Sequence, residues 1–177
     1  MRLTHLAGLL ALMTGAAHAG GFAYDHVDAG YAEIDRADAL YVRGSVGLDT
    51  HLYVLGGLTL IDTPNDNGFY LQGGLGYRLP LAPKADLYFN GQLLYADIGS
   101  EDDIGVILRS GLRFSPVDKL ELEGAIAFRS NDLLIDDGIG LEVQARYLFT
   151  PQLAGSLGLH SDTEFDGVSL GIRYHFK

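Results

Sequence analysis

Chemistry in this sequence has to come from histidines and carboxylates, because the 177 residues contain no cysteine. Thiolate catalysis and Cys-ligated zinc are thereby excluded. The triplet His160-Ser161-Asp162 holds the three residue types of a hydrolytic relay. On a strand, however, consecutive side chains point to opposite faces, so these three cannot pass a proton among themselves. His26 and His175 form a second candidate, a metal pair near the two ends of the chain. Two neutral imidazoles with no further ligand make a poor metal site. Carboxylates are more plentiful. Asp62 and Asp66, and the run Glu101-Asp102-Asp103, offer hard oxygen ligands of the kind calcium takes. Neither group has the spacing of a calcium-binding loop, and the plain expectation is a solvated, mutually repulsive surface. Neither a cofactor nor catalysis is expected.

The element that must position these groups is set by a period of two. Leu40, Val42, Gly44, Val46 and Leu48 are apolar or Gly, while Tyr41, Arg43, Ser45, Gly47 and Asp49 fill the alternate positions. The same alternation returns from Leu52, Leu71, Leu87, Ile104, Leu120, Ile139, Leu153 and Val168, and a first strand fits Val27, Ala29 and Tyr31. Each segment reads as a strand with one apolar and one polar face. Ten such segments are expected, with eight as the alternative. No apolar face carries a charge. The opposite faces carry Asp28, Arg43, Asp49, Arg78, Arg109, Arg113, Glu121, Glu123, Arg129, Glu142, Arg146 and Arg173.

Alternation alone does not say which face is inside. Segment length and aromatic placement decide it. Strands of about 11 residues, tilted by about 40°, cover the apolar band of a membrane barrel, whereas soluble strands run nearer 5–6 residues. Tyr77, Phe89, Phe114, Tyr147, Phe149, Tyr174 and Phe176 fall near one rim, and Tyr31, Phe69, Tyr95 and Phe128 near the other. Two aromatic girdles at headgroup level are what a spanning barrel requires. The connections also alternate. Asp49 to His51, Pro80 to Ala85, Ser115 to Lys119 and Thr150 to Gln152 are short turns; the loops from Asp35, Asp62, Asp97, Ser130 and Ser161 are longer and acidic. The fold class is therefore all-β, an antiparallel up-and-down transmembrane barrel.

Arg2, the apolar stretch Leu6–Ala17 and the A-x-A site Ala17-His18-Ala19 read as a secretory leader over residues 1–19. Residues 20–177 then form a single barrel domain. Lys plus Arg number 12 against 23 Asp plus Glu, a formal charge of −11, and nucleic acid is not an expected partner.

The leader, the ten amphipathic strands, the acidic loops and the ending Val168-x-Leu170-x-Ile172-x-Tyr174-x-Phe176 together resemble the small outer-membrane β-barrel proteins of Gram-negative bacteria, porin-like or like the OmpA transmembrane barrel. The resemblance covers the whole mature chain and carries no catalytic motif. It implies outer-membrane residence, contact with lipid and lipopolysaccharide, and a monomer. It also implies recognition of Tyr174 and Phe176 by the outer-membrane assembly machinery, although Lys177 makes the last aromatic penultimate.

A barrel in hydrocarbon must close, since unpaired edge groups cost several kcal/mol each. Pairing the first and last strands sets Asp28 beside Arg173 and His26 beside His175. Tight hairpins suggest Arg113 opposite Glu121, Glu123 near Arg146 and Arg129 near Glu142. The lumen is thus expected to be a network of Asp28, Arg43, Arg109, Arg113, Glu121, Glu123, Arg129, Glu142, Arg146 and Arg173, because charges in a narrow bore must be paired or hydrated. Tyr53, Tyr70 and Tyr88 also point inward, while Gly47, Gly57, Gly74, Gly76, Gly105 and Gly111 could leave water-filled gaps. The expected function is a plugged barrel for outer-membrane structure or surface interaction, with a narrow passive pore as the alternative.

Overall fold

A computed structural model describes residues 22–34, 37–131, 135–161 and 166–176, with backbone alone at 135–137. The leader segment, Asp35, Arg36, Asp132, Asp162, Glu164 and Lys177 lie outside the described residues. Ten strands follow one another: β1 (His26–Ile34), β2 (Ala37–Gly47), β3 (Leu52–Asp62), β4 (Asn67–Ala82), β5 (Ala85–Ile98), β6 (Glu101–Val117), β7 (Leu120–Asn131), β8 (Ile135–Leu148), β9 (Leu153–Ser161) and β10 (Asp166–His175). Each pairs antiparallel with its neighbours in sequence, and β1 pairs with β10 to close a barrel. Closure leaves no sheet edge, which is the condition for a sheet to sit in hydrocarbon.

The faces sort as the alternation requires. Leu40, Val42, Leu58, Leu75, Leu93, Leu108, Ile126, Val143, Leu157 and Ile172 are all exposed on the outside. In water such a continuous apolar skin would aggregate; against acyl chains it is the favourable surface. Aromatic pairs band the outside near the ends. Tyr147 and Phe149 meet edge to face at 5.6 Å, and Tyr174 and Phe176 at 5.8 Å, at the end that carries the described chain termini. Phe69 and Tyr95 lie 6.2 Å apart at the far end. Rings at these two levels suit the two headgroup layers.

The strands run further than the periodicity alone suggests. β4 and β6 reach 16 and 17 residues, so Asp97, Glu101, Asp102 and Asp103 belong to the paired β5–β6 hairpin and not to a loop. Only Gly99 and Ser100 turn between them, with Gly99 at a φ of +65° that suits its missing Cβ. At the opposite end Asp118 and Lys119 turn between β6 and β7. A bulge between Phe114 and Val117 inserts one residue on β6, and this shift sets Arg113 opposite Glu123. The expected Arg113–Glu121 pairing is therefore corrected: with the turn at Asp118–Lys119 and one extra residue on β6, the partner lies two positions further along β7 than expected.

The inward glycines are not gaps. A Cβ at Gly76 would strike the Tyr53 ring, one at Gly111 would meet the Tyr88 ring at 2.6–2.8 Å, and one at Gly57 would meet Arg43 Cγ at 2.8 Å. Gly74 and Gly105 lie against the neighbouring strand's backbone, and the Asp25 carboxylate approaches Gly47. Gly57, Gly76 and Gly111 are seats for large side chains that reach across from adjacent strands. The expected water-filled openings are filled.

Candidate functional site

The barrel's interior is the candidate site, and it is built in two parts. The part nearer the termini is a packed charge network. Closure places Asp28 opposite Arg173, where the guanidinium donates from Nε and Nη2 to the two carboxylate oxygens at 2.6 and 2.7 Å. His26 and His175 face each other across the same seam with ring centroids 6.0 Å apart. Glu123 is the hub of the next group. It accepts Tyr88 Oη at 2.5 Å and Arg146 Nη2 at 2.7 Å, and Arg113 Nε lies 3.5 Å from it. Glu121, register partner of Arg146, stands 3.8 Å from Arg146 Nη1. Charges this far from water persist because each faces an opposite charge and further donors.

Glu142 forms a separate cluster. Arg109 Nη2 donates to it at 3.0 Å and Arg129 donates to the same oxygen. His160 is register partner of Glu142, yet its Nε2 meets Ser169 Oγ at 3.1 Å. Ser169, His160 and Glu142 thus outline a relay across three strands, different from the consecutive triplet. Glu142 is engaged by two arginines, and Ser169 is buried at 3% exposure. A carboxylate already held by two guanidiniums is a weak orienting base for the imidazole.

Arg43 is different from the rest. Among the described residues no carboxylate lies within ion-pair distance of it. Its guanidinium lies 4.5 Å over the Tyr41 ring, Nη2 is 3.5 Å from Tyr70 Oη, and buried Nε has no hydrogen-bond partner. It borders a cavity of about 550 Å³ that runs from Tyr24 and His26 up to Asn65 and Asp66. The far part of this cavity is lined by Ala32, Ile34, Ala39, Ile61, Leu94, Ile98 and Ile107. An inward apolar wall is not what a period-two reading with a polar inner face anticipates.

Below the far rim, the inward charges are Arg43, Arg78, Arg109, Arg113, Arg129, Arg146 and Arg173 against Asp28, Asp86, Glu121, Glu123 and Glu142. The bore therefore holds two more cations than carboxylates among the described residues, inside a protein of formal charge −11. The acidic residues gather outside it. Asp97 and Asp102 sit directly opposite each other, as do Asp38 and Asp62. Asp102 and Asp103 follow one another on β6 and face opposite ways. Among the described residues no three His, Asp or Glu side chains come together as a metal-ligand group, and Asp62, Asp66, Glu101, Asp102 and Asp103 are spread over two strands and one loop.

Two further elements escape the sequence reading. Arg78 and Asp86 approach at 3.9 Å, with Asp86 fully buried. Phe22 and Tyr24, ahead of β1, are buried in the mouth of the barrel at 8% and 4% exposure. The available signal was the period of two, which continues backward from Asp28 through His26 and Tyr24 to Phe22.

No protein-family model matches the chain, and no curated protein matches it. Solved structures do. A KdgM porin in complex with disordered oligogalacturonate aligns with a TM-score of 0.58 at 9% identity, covering 86% of this chain and 99% of that one. NanC porin aligns with a TM-score of 0.53 at 10% identity over 85% and 99% of the two chains. An outer-membrane channel from Pseudomonas putida F1 aligns with a TM-score of 0.51 at 10% identity over 93% and 98%. At such identity the likeness is one of fold: the chain has a porin-like membrane barrel.

Proposed function

We propose that the protein is a narrow passive pore of the bacterial outer membrane that favours small anionic solutes. The observation that carries this reading is Arg43, a cation with no carboxylate partner among the described residues, bordering the lumen cavity. An unpaired guanidinium in a low-dielectric bore attracts carboxylate, phosphate or sulfate and repels cations. The excess of arginine over carboxylate among the described residues below the far rim acts in the same direction. Porin structures of similar fold support a conducting role, and one of them holds oligogalacturonate, a carboxylate-bearing sugar chain. The chain is exported after cleavage near Ala19 and lies with its termini on the periplasmic side and its acidic hairpins outside. The assembly machinery reads the β10 ending at Tyr174 and Phe176, lipid and lipopolysaccharide surround the barrel, and no enzymatic role is assigned.

The test is the reversal potential of the purified protein in a planar bilayer under a potassium chloride gradient. Current carried mainly by chloride, with Arg43→Ala moving the reversal potential toward cation preference, is expected. Cation-selective current from the parent protein overturns the reading. The second reading, a static barrel serving envelope structure, is favoured by the dense network around Glu123, and it requires that no variant of the bore conducts.

A further inference from the structure

The segment ahead of β1 crosses the bore. Phe22–Asp25 is outside any strand, and its side chains keep alternating. Tyr24 packs against Tyr53 of β3 with centroids 4.6 Å apart, while Arg78 of β4 and Arg113 of β6 lie 4.8 and 4.7 Å over its ring. Arg113 also lies 5.5 Å over the ring of Phe22. In this ten-stranded barrel β6 is five strands from β1 in either direction, so it stands across the diameter. A segment that leaves β1 and meets β6 spans the opening.

The space on its two sides is separate. The large cavity has Tyr24 as part of its floor, and a second cavity of about 260 Å³ lies beneath Phe22 and Ala23, among the turn residues Pro83, Lys84 and Pro151. The two share no lining residue.

We propose that Phe22–Tyr24 is a seal across the periplasmic mouth, and that solute passes only when it swings out. This rests on the pore reading above. The fastening suits a movable part. The Phe22 carbonyl accepts Arg78 Nη1 at 2.9 Å, the Tyr24 carbonyl accepts Ser45 Oγ, and Asp25 Oδ1 accepts Gly47 N at 2.9 Å. Apart from Phe176 N donating to the Asp25 carbonyl at 2.9 Å, no described backbone hydrogen bond outside the strands joins this segment to the barrel, so displacement leaves the barrel ladder intact. Arg78 has a second partner waiting. Both oxygens of Asp86 lack a hydrogen bond, and the guanidinium that holds Phe22 is 3.9 Å away. Letting go of the carbonyl allows Arg78 to close on Asp86, which compensates the open state.

Two measurements test the seal. The first is single-channel current in potassium chloride for the parent and for Phe22→Ala/Tyr24→Ala, each shown to be folded by its heat-shifted gel mobility. Open-state current or open time is expected to rise about twofold or more as a side-chain constriction is emptied. A folded variant whose current equals that of a conducting parent overturns the seal and leaves the pore reading standing. A silent parent with a conducting variant supports both, and silence from both overturns both. The second measurement uses the absence of tryptophan in the native chain. Phe22→Trp in the folded barrel is expected to resist quenching by aqueous iodide severalfold better than Thr150→Trp on the neighbouring turn. Equal quenching overturns the seal whatever the currents show.

Discussion

The two parts of the lumen are carried on the same strands with the same period of two and behave as opposites. Near the termini each arginine has a carboxylate, each inward tyrosine has a glycine to lie on, and Phe22 and Tyr24 fill what remains. Toward the far rim the wall of the cavity is Ala, Ile and Leu, and Arg43, opposite Asp28 in register, turns its guanidinium toward Tyr70 with no carboxylate within ion-pair distance among the described residues. A buried charge is tolerable when paired, and costly when one member is removed. The packed part therefore carries stability, and the open part is free to carry selectivity.

That contrast is sharpest at Glu123. Replacing it with Ala strips one carboxylate from Arg113, Arg146 and Tyr88 together, and a loss of about 3–5 kcal/mol in denaturant unfolding from lipid vesicles is expected. An unchanged midpoint would place the weight of the network elsewhere. Next in size is Gly76→Ala, whose methyl enters the Tyr53 ring and is expected to destabilise by about 1–3 kcal/mol. Gly124→Ala is its control: it faces outward with nothing within 4 Å of the added methyl, and an unfolding midpoint equal to the parent's is expected.

Arg43→Ala belongs to the other part. Its unfolding free energy is expected to stay within about 0.5 kcal/mol of the parent, while the bilayer reversal potential moves. Should Arg43→Ala unfold as readily as Glu123→Ala, the two parts would not differ in kind. The smallest effect lies outside the bore, in the turn after β2. The backbone N–H groups of Leu52 and His51 donate to Asp49 at 2.7 and 2.6 Å and hold its carboxyl below the usual carboxylate range. A depressed native value means that the contribution is present above the unfolded value of roughly 3.9 and fades as pH falls through the native one. Asp49→Ala is thus expected to lower the unfolding midpoint slightly at neutral pH and to converge with the parent in acid.

The strand pattern was readable because membrane and lumen impose opposite demands on alternate residues. Leu40, Val42 and Ile172 face outward while Tyr41, Arg43 and Arg173 meet the bore. Details that depend on a single inserted residue were not readable. The bulge before Val117 sets Arg113 against Glu123, and nothing in the hairpin's composition announces it. Glycine was misleading for a different reason: its missing side chain is a space only until a neighbour's ring is known to occupy it, as Tyr53 does at Gly76. The open part was hidden because Ile61, Leu94 and Ile107 keep the period but not its polarity.

The bond between Asp28 and Arg173 joins positions 145 residues apart, the first strand to the last. No shorter stretch of chain can supply that guanidinium. A polypeptide that stops before β10 denies Asp28 this two-pronged partner, although Arg43 stands opposite it on β2, and leaves the backbone edge of β1 unpaired in hydrocarbon at several kcal/mol per group. The seam thus ties the cylinder shut by charge as well as by backbone: Asp28 gains both of its hydrogen bonds only once the last strand has docked on the first.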